Sequence, residues 1–152
     1  MTNKSYHAWL QYERDEGRAI QATRWLSTIV ALHETHRGPY GNALNEIVQA
    51  MRSLFGKEPR VTNQYTSEPC LVIGMMNSEW PISLKERVNS MRLEEEAYAI
   101  EHIRDDKRDC LIVVGGSDRG LLYGVFTLLR MIGMDQELSG VRVVEKPRTL
   151  IR

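Results

Sequence analysis

The sequence predicts a layered α/β domain, a mixed β-sheet with helices packed on it, and three observations lead there. CLVIGMM at 70–76 and CLIVV at 110–114 are continuously apolar rather than alternating, as strands buried on both faces are. Between such runs lie segments whose apolar residues recur at three- and four-residue steps, the pattern of helices laid on a sheet. The runs AYAIEHI (97–103) and CLIVV are separated by the charged turn RDDKRD, and a hairpin there argues against a purely parallel wind.

The elements follow in order along a chain of 152 residues, about one domain's worth. LSTIVALH (26–33) is rich in aliphatic and β-branched residues and reads as the first strand; the polar ETHRGPYGN after it reads as a loop. Leu44, Ile47, Val48, Met51, Leu54 and Phe55 define an amphipathic helix over roughly 42–55, with Gly56 as its terminator. PRVTNQ reads as a short edge strand, and the buried strand at 70–76 runs out into the loop MMNSEWPIS. Pro81 suits the first turn of a second helix, where its missing donor costs little, with Ile82, Val88 and Met91 as the apolar face. In the strand at 97–103, alternation places Tyr98, Ile100 and His102 on one face. A third helix over about 118–132 and a last strand, VRVVEKP (141–147), complete the series.

Twenty basic residues balance twenty acidic ones, so nothing in the overall charge favours a nucleic acid or an acidic membrane surface as partner. No apolar run nears the ~20 residues needed to span a bilayer, and the opening MTNKSYHAWLQYERDEGR lacks a signal-peptide core. A cytoplasmic protein is expected. Cys70 and Cys110 lie 40 positions apart without a close CxxC pair, which suits buried free thiols in a reducing compartment rather than a metal or redox site. No metal and no cofactor are expected.

The strand–turn–helix LIVVGGSDRGLLYGVFTLLR (111–130) has the layout of a phosphate cradle, and each such motif makes a physical demand that can be checked. Gly115 and Gly120 have Walker spacing, but Leu121 and Leu122 stand where a lysine and a hydroxyl must meet phosphate and magnesium. The middle glycine of a dinucleotide fingerprint is replaced by Ser117, and Asp118 adds a negative charge beside it. A nucleophile elbow fails at Arg119, where a second glycine belongs. Helix capping by Ser117 or Asp118 explains the turn with fewer demands. Gly124 inside the helix costs about 1 kcal/mol relative to Ala, so something is expected to pack closely against it. The alternative keeps Gly115, Gly116, Ser117, Asp118 and Arg119 as a loop binding a nucleotide or sugar acid, with Arg119 as the anion contact.

Other candidates have plainer readings. Glu94, Glu95 and Glu96 are adjacent and do not converge on a point, as a solvated face requires and an acid–base pair does not. His33 and His36 are three apart in a turn, whereas the zinc helix signature needs four on one helical face. Trp9, Trp25 and Trp80 are assigned to core packing ahead of sugar stacking or an interface.

Taken together, LLYGVFTLLR (121–130) after its strand and capped turn, Tyr6, Trp9, Leu10 and Tyr12 in the opening, LVIG at 71–74 and the pair Pro147-Arg148 resemble the amino-terminal domain of the α-glucuronidases of glycoside hydrolase family 67. Ala97, where that family usually carries glycine, and the HETHRGPYGN loop mark a divergent member. The resemblance implies a fold similar to the amino-terminal domains of multidomain glycosidases. It also implies a parent enzyme that removes glucuronic acid or its 4-O-methyl ether from xylo-oligosaccharides by inversion, using carboxylates on a TIM barrel. Such a barrel needs about 250 residues and would follow residue 152, so no catalytic residue is carried over to this chain and it is expected to be inactive alone. The implied partner is that barrel, and an apolar face freed of it would also drive self-association.

Overall fold

Among the described residues, chain order begins with a helix that the sequence reading passes over. The computed structural model describes residues 18–33, 37–66 and 68–146, so Tyr6, Trp9, Leu10, Tyr12, Pro147, Arg148 and residues 34–36 lie outside it. Helix α1, Arg18–Leu26, buries Ala22, Trp25 and Leu26, one turn of a helical face. The strand expected at 26–33 is therefore shorter: β1 is Thr28–Ala31, separated from α1 only by Ser27, whose N–H donates back to Thr23 O.

Helix α2, Gly38–Ala50, starts four residues before the expected 42, because Pro39 sits in its first turn, where no donor is needed. It continues into a π-helical turn, Met51–Phe55, and stops at Gly56 with φ 63°, the left-handed conformation that glycine adopts freely. The short strand β2, Arg60–Thr62, matches the expected edge strand, and all six residues of β3, Cys70–Met75, are buried. Pro81, expected in the first turn, stands one residue ahead of it at the N-cap position of helix α3, Ile82–Asn89, whose inner face is Leu84 and Val88; Ile82, expected on that face, is 90% exposed. Strands β4, Tyr98–Arg104, and β5, Asp109–Gly115, form the expected hairpin. Helix α4, Asp118–Gly133, and strand β6, Arg142–Glu145, follow.

Among the described residues, six strands make one mixed sheet in the order β2-β1-β3-β5-β4-β6. The first four run parallel, and β4 runs antiparallel to both β5 and β6. Alternation sends Ile29, Leu71, Ile73, Tyr98, Ile100, Leu111 and Val113 to one face, under α1, α2 and α4. Val30, Cys70, Val72, Cys110, Ile112 and Val114 face the other side, under Trp80 and α3, with Tyr65, Met91 and Leu93 packed beside them. Cys70 and Cys110 are direct register partners on β3 and β5, both buried and free. Burial, above all, pushes their thiols up to about 12 and about 11, and Tyr65, in the β2–β3 connection, is likewise pushed up to about 12. Among the described residues no helix is long and apolar enough to cross a membrane.

Candidate functional site

The β5–α4 turn lies at the carboxyl edge of the parallel strands, where open α/β sheets place ligands. In this chain the place is taken by the backbone of residues 94–97. Gly116 N–H donates to Ala97 O at 2.9 Å, Ala97 N–H to Glu94 O at 2.9 Å, and the Ser117 hydroxyl to Glu95 O at 2.7 Å. A Cβ on Gly116 would come within 1.7 Å of Glu94 O, and one on Gly120 within 2.4 Å of Ala97 O. The glycine spacing therefore serves contact between two stretches of main chain. Within α4, a Cβ on Gly124 would lie 2.9 Å from Val113 Cγ1 and 3.1 Å from Tyr98 Cβ, which is the close packing its place in the helix predicts.

Of the two candidate caps it is Ser117 that accepts, from Gly120 N–H at 3.3 Å, while Asp118 begins the helix with a charge suited to its dipole. Arg119 pairs with Glu96 at 3.1 Å, and that bond raises its guanidinium above the ordinary range. A cavity of about 120 Å³ remains at the mouth of the turn, lined by Glu95, Glu96, Ser117, Asp118 and Arg119. Three carboxylates around one guanidinium give it an acidic surround, which opposes an incoming anion. Glu94 points away to Lys146, tying the end of β6 to the same loop.

Between β1 and β3, the point where the strand order reverses, the carboxyl edge is filled as well. His33 N–H donates to Tyr40 Oη at 3.0 Å, and His33 Nδ1 lies 3.2 Å from Ser78 Oγ, which accepts from Met75 N–H at 2.9 Å. Trp80 donates to Met75 O at 2.7 Å, and Leu32, Trp80 and Ser78 occupy the space beside Gly74. His33 is thus a turn-fastening residue here; His36 lies outside the described residues. Trp25 and Trp80 are both buried.

A polar cluster that sequence reading missed sits at the opposite edge. The Asp109 carboxylate accepts from Trp25 Nε1 at 3.0 Å, from His102 Nε2 at 2.8 Å and from Arg24. His102 Nδ1 in turn accepts from Gly140 N–H at 2.8 Å, which fixes the proton on Nε2. Burial opposes ionisation of Asp109, but Trp25, His102 and Arg24 together outweigh it and hold its carboxyl below the ordinary range. The cluster joins α1, the hairpin and the approach to β6. Its one sequence signal is His102 itself, a polar residue at an inward position of β4.

Residues 8–128 match the family profile described as the Glycosyl hydrolase family 67 N-terminus. An alpha-glucuronidase of Hypocrea jecorina is 23% identical over 151 residues, 95% of this chain and 17% of that protein. The chain thus spans only a small part of the length of its curated relative. In architecture it is similar to a family GH115 4-O-methyl-α-glucuronidase with specificity for decorated arabinogalactans, at TM-score 0.57 and 13% identity over 80% of this chain and 17% of that one. It is also similar to a GH138 enzyme targeting pectin rhamnogalacturonan II, at TM-score 0.52 and 18% identity over 82% of this chain and 12% of that one. At such identities the two structures speak for the fold, and the sequence match speaks for the lineage: this chain belongs to the family of glycosyl hydrolase 67 amino-terminal domains.

Proposed function

We propose that this chain is the non-catalytic amino-terminal domain of an α-glucuronidase, working in xylan breakdown on oligosaccharides that carry glucuronic acid or its 4-O-methyl ether. The observation that carries this reading is the family match over residues 8–128. In it, the domain packs on a catalytic barrel supplied by sequence beyond residue 152 and steadies it. Inverting hydrolysis needs a general acid and a general base about 6.5–9.5 Å apart on opposite sides of the sugar, and the barrel is where both belong. The filled carboxyl edge supports a packing role for the turn. Free buried thiols in register suit a reducing, cytoplasmic setting. Among the described residues, the large exposed apolar side chains, Val61, Ile82, Phe126, Met134 and Val144, include residues at opposite sheet edges, so these five do not form a single patch.

The test compares this chain alone, the barrel alone and the two joined, on aldouronic acids at high protein concentration. The chain alone is expected to release no glucuronic acid, and the joined protein to outlast the barrel alone on heating. Reproducible release by the isolated chain would sink the reading, as would a barrel equally active and equally stable without it.

A further inference from the structure

The sheet face beneath α3 ends, near the tip of the β4–β5 hairpin, in a cavity of about 260 Å³ lined by Arg87, Glu101, His102, Ile103, Arg104 and Arg108. Three guanidiniums and one carboxylate face it, in a chain whose basic and acidic residues balance overall. Arg87 sends both Nε and Nη2 to a single oxygen, Glu101 Oε2, at 2.9 and 2.6 Å, which leaves Nη1 outside the pair. Arg108 is fixed by Asp105, at 2.9 and 2.6 Å, and by the carbonyl of Ser83. Arg104, exposed at the end of β4, makes no ion pair among the described residues.

The charges can be counted. Arg87 cancels Glu101, Arg108 cancels Asp105, and the neighbouring Asp106 and Lys107 offset each other, so one positive charge, that of Arg104, is left over. Guanidiniums already clamped by carboxylates present their remaining N–H groups in fixed directions, which lowers the ordering cost of binding an acceptor. One surplus charge matches a carboxylate, whereas a phosphate brings about −1.5 to −2 at neutral pH. Ile103, packed against the core beneath α3, adds an apolar surface beside the guanidiniums.

We propose that this groove binds the carboxylate of a uronic acid unit on an oligosaccharide, with Arg104 as the forked donor and the clamped Arg87 and Arg108 beside it. The substrate class rests on the function proposed above; the groove's place, charge and donors do not. It would hold decorated substrate near the enzyme without taking part in hydrolysis.

The test is an NMR titration of the full chain with an aldouronic acid, with the neutral xylo-oligosaccharide of the same length, with inorganic phosphate and with a glutamate-rich peptide. The acidic sugar is expected to give saturable shifts confined to residues 101–108 and Arg87, weakened by added salt, and the neutral sugar none. Arg104→Ala should weaken the acidic sugar by at least about tenfold with the rest of the spectrum unchanged, and Arg104→Lys by less, since it keeps the charge but loses the fork. Equal shifts from the neutral sugar, no shifts at all, or an unchanged response in Arg104→Ala would overturn the proposal. So would tighter binding of phosphate or of the peptide, which would assign the groove to general anions or to a protein partner. Failure here leaves the barrel-support reading intact, because that reading is judged by barrel activity and heat stability.

Discussion

Gly116 is a position where a single methyl group decides between two accounts of a turn. If residues 94–97 are seated against it, Ala at 116 has no room, because its Cβ would meet Glu94 O at 1.7 Å and a backbone cannot rotate aside as a long side chain can. Gly116→Ala is expected to lower stability by about 3 kcal/mol, read as a shift of the urea midpoint at constant m-value. An unchanged midpoint would mean that the loop is not seated there and that the turn is open. Asp109 gives a second expectation at this scale. Its carboxyl is held below the ordinary value, so its contribution is complete above the unfolded-state pKa of about 3.9 and is lost as pH falls through the lower folded value. Urea unfolding at pH 7 and pH 3 should show Asp109→Asn less stable than the wild type at pH 7, with the gap closing in acid. A constant gap would remove Asp109's charge from the account.

Among the elements, α3 separates what periodicity reveals from what it leaves open. The run from Pro81 marks a helix, but eight residues of mixed character do not fix which way it is rotated. The sheet decides this by burying Leu84 and Val88, four apart, and leaving Ile82 in solvent. Leu84→Ala should therefore cost about 2–5 kcal/mol while Ile82→Ala stays within about 0.5, compared by thermal melting of the two variants. The reverse ranking would contradict the packing of this helix. Helix α1 escaped notice for a related reason: Ala22, Trp25 and Leu26 are one turn's worth of helical signal, and they run straight into a β-branched strand. The hairpin was plain because its evidence is local, two apolar runs and a charged turn. The Asp109 cluster was not, because Arg24 and Trp25 lie 85 and 84 residues from their partner and no spacing rule reaches that far. His102 hinted at it, since a polar side chain at an inward position must find a partner.

For the whole molecule, the mixed sheet and its two-sided core were legible because β3 and the 110–114 run of β5 are continuously apolar and the hairpin forces one strand to reverse. The strand order was not, because it depends on which edges meet after the helices have crossed. The groove at the hairpin tip was equally hidden: Arg87, Glu101, Arg104 and Arg108 look like ordinary surface charges until α3 and the hairpin meet. The glycine-rich turn was visible from the start, and its failure to meet any phosphate motif was visible too, but not what lies against it. In the folded chain a peptide carbonyl, that of Ala97, accepts the Gly116 N–H, in the place where a nucleotide-binding turn would receive a phosphate oxygen. To the main chain the two oxygens are the same kind of visitor, an acceptor that comes too near for a side chain to stand between. Glycine spacing after a strand thus records how close an oxygen approaches and is silent on whose oxygen it is.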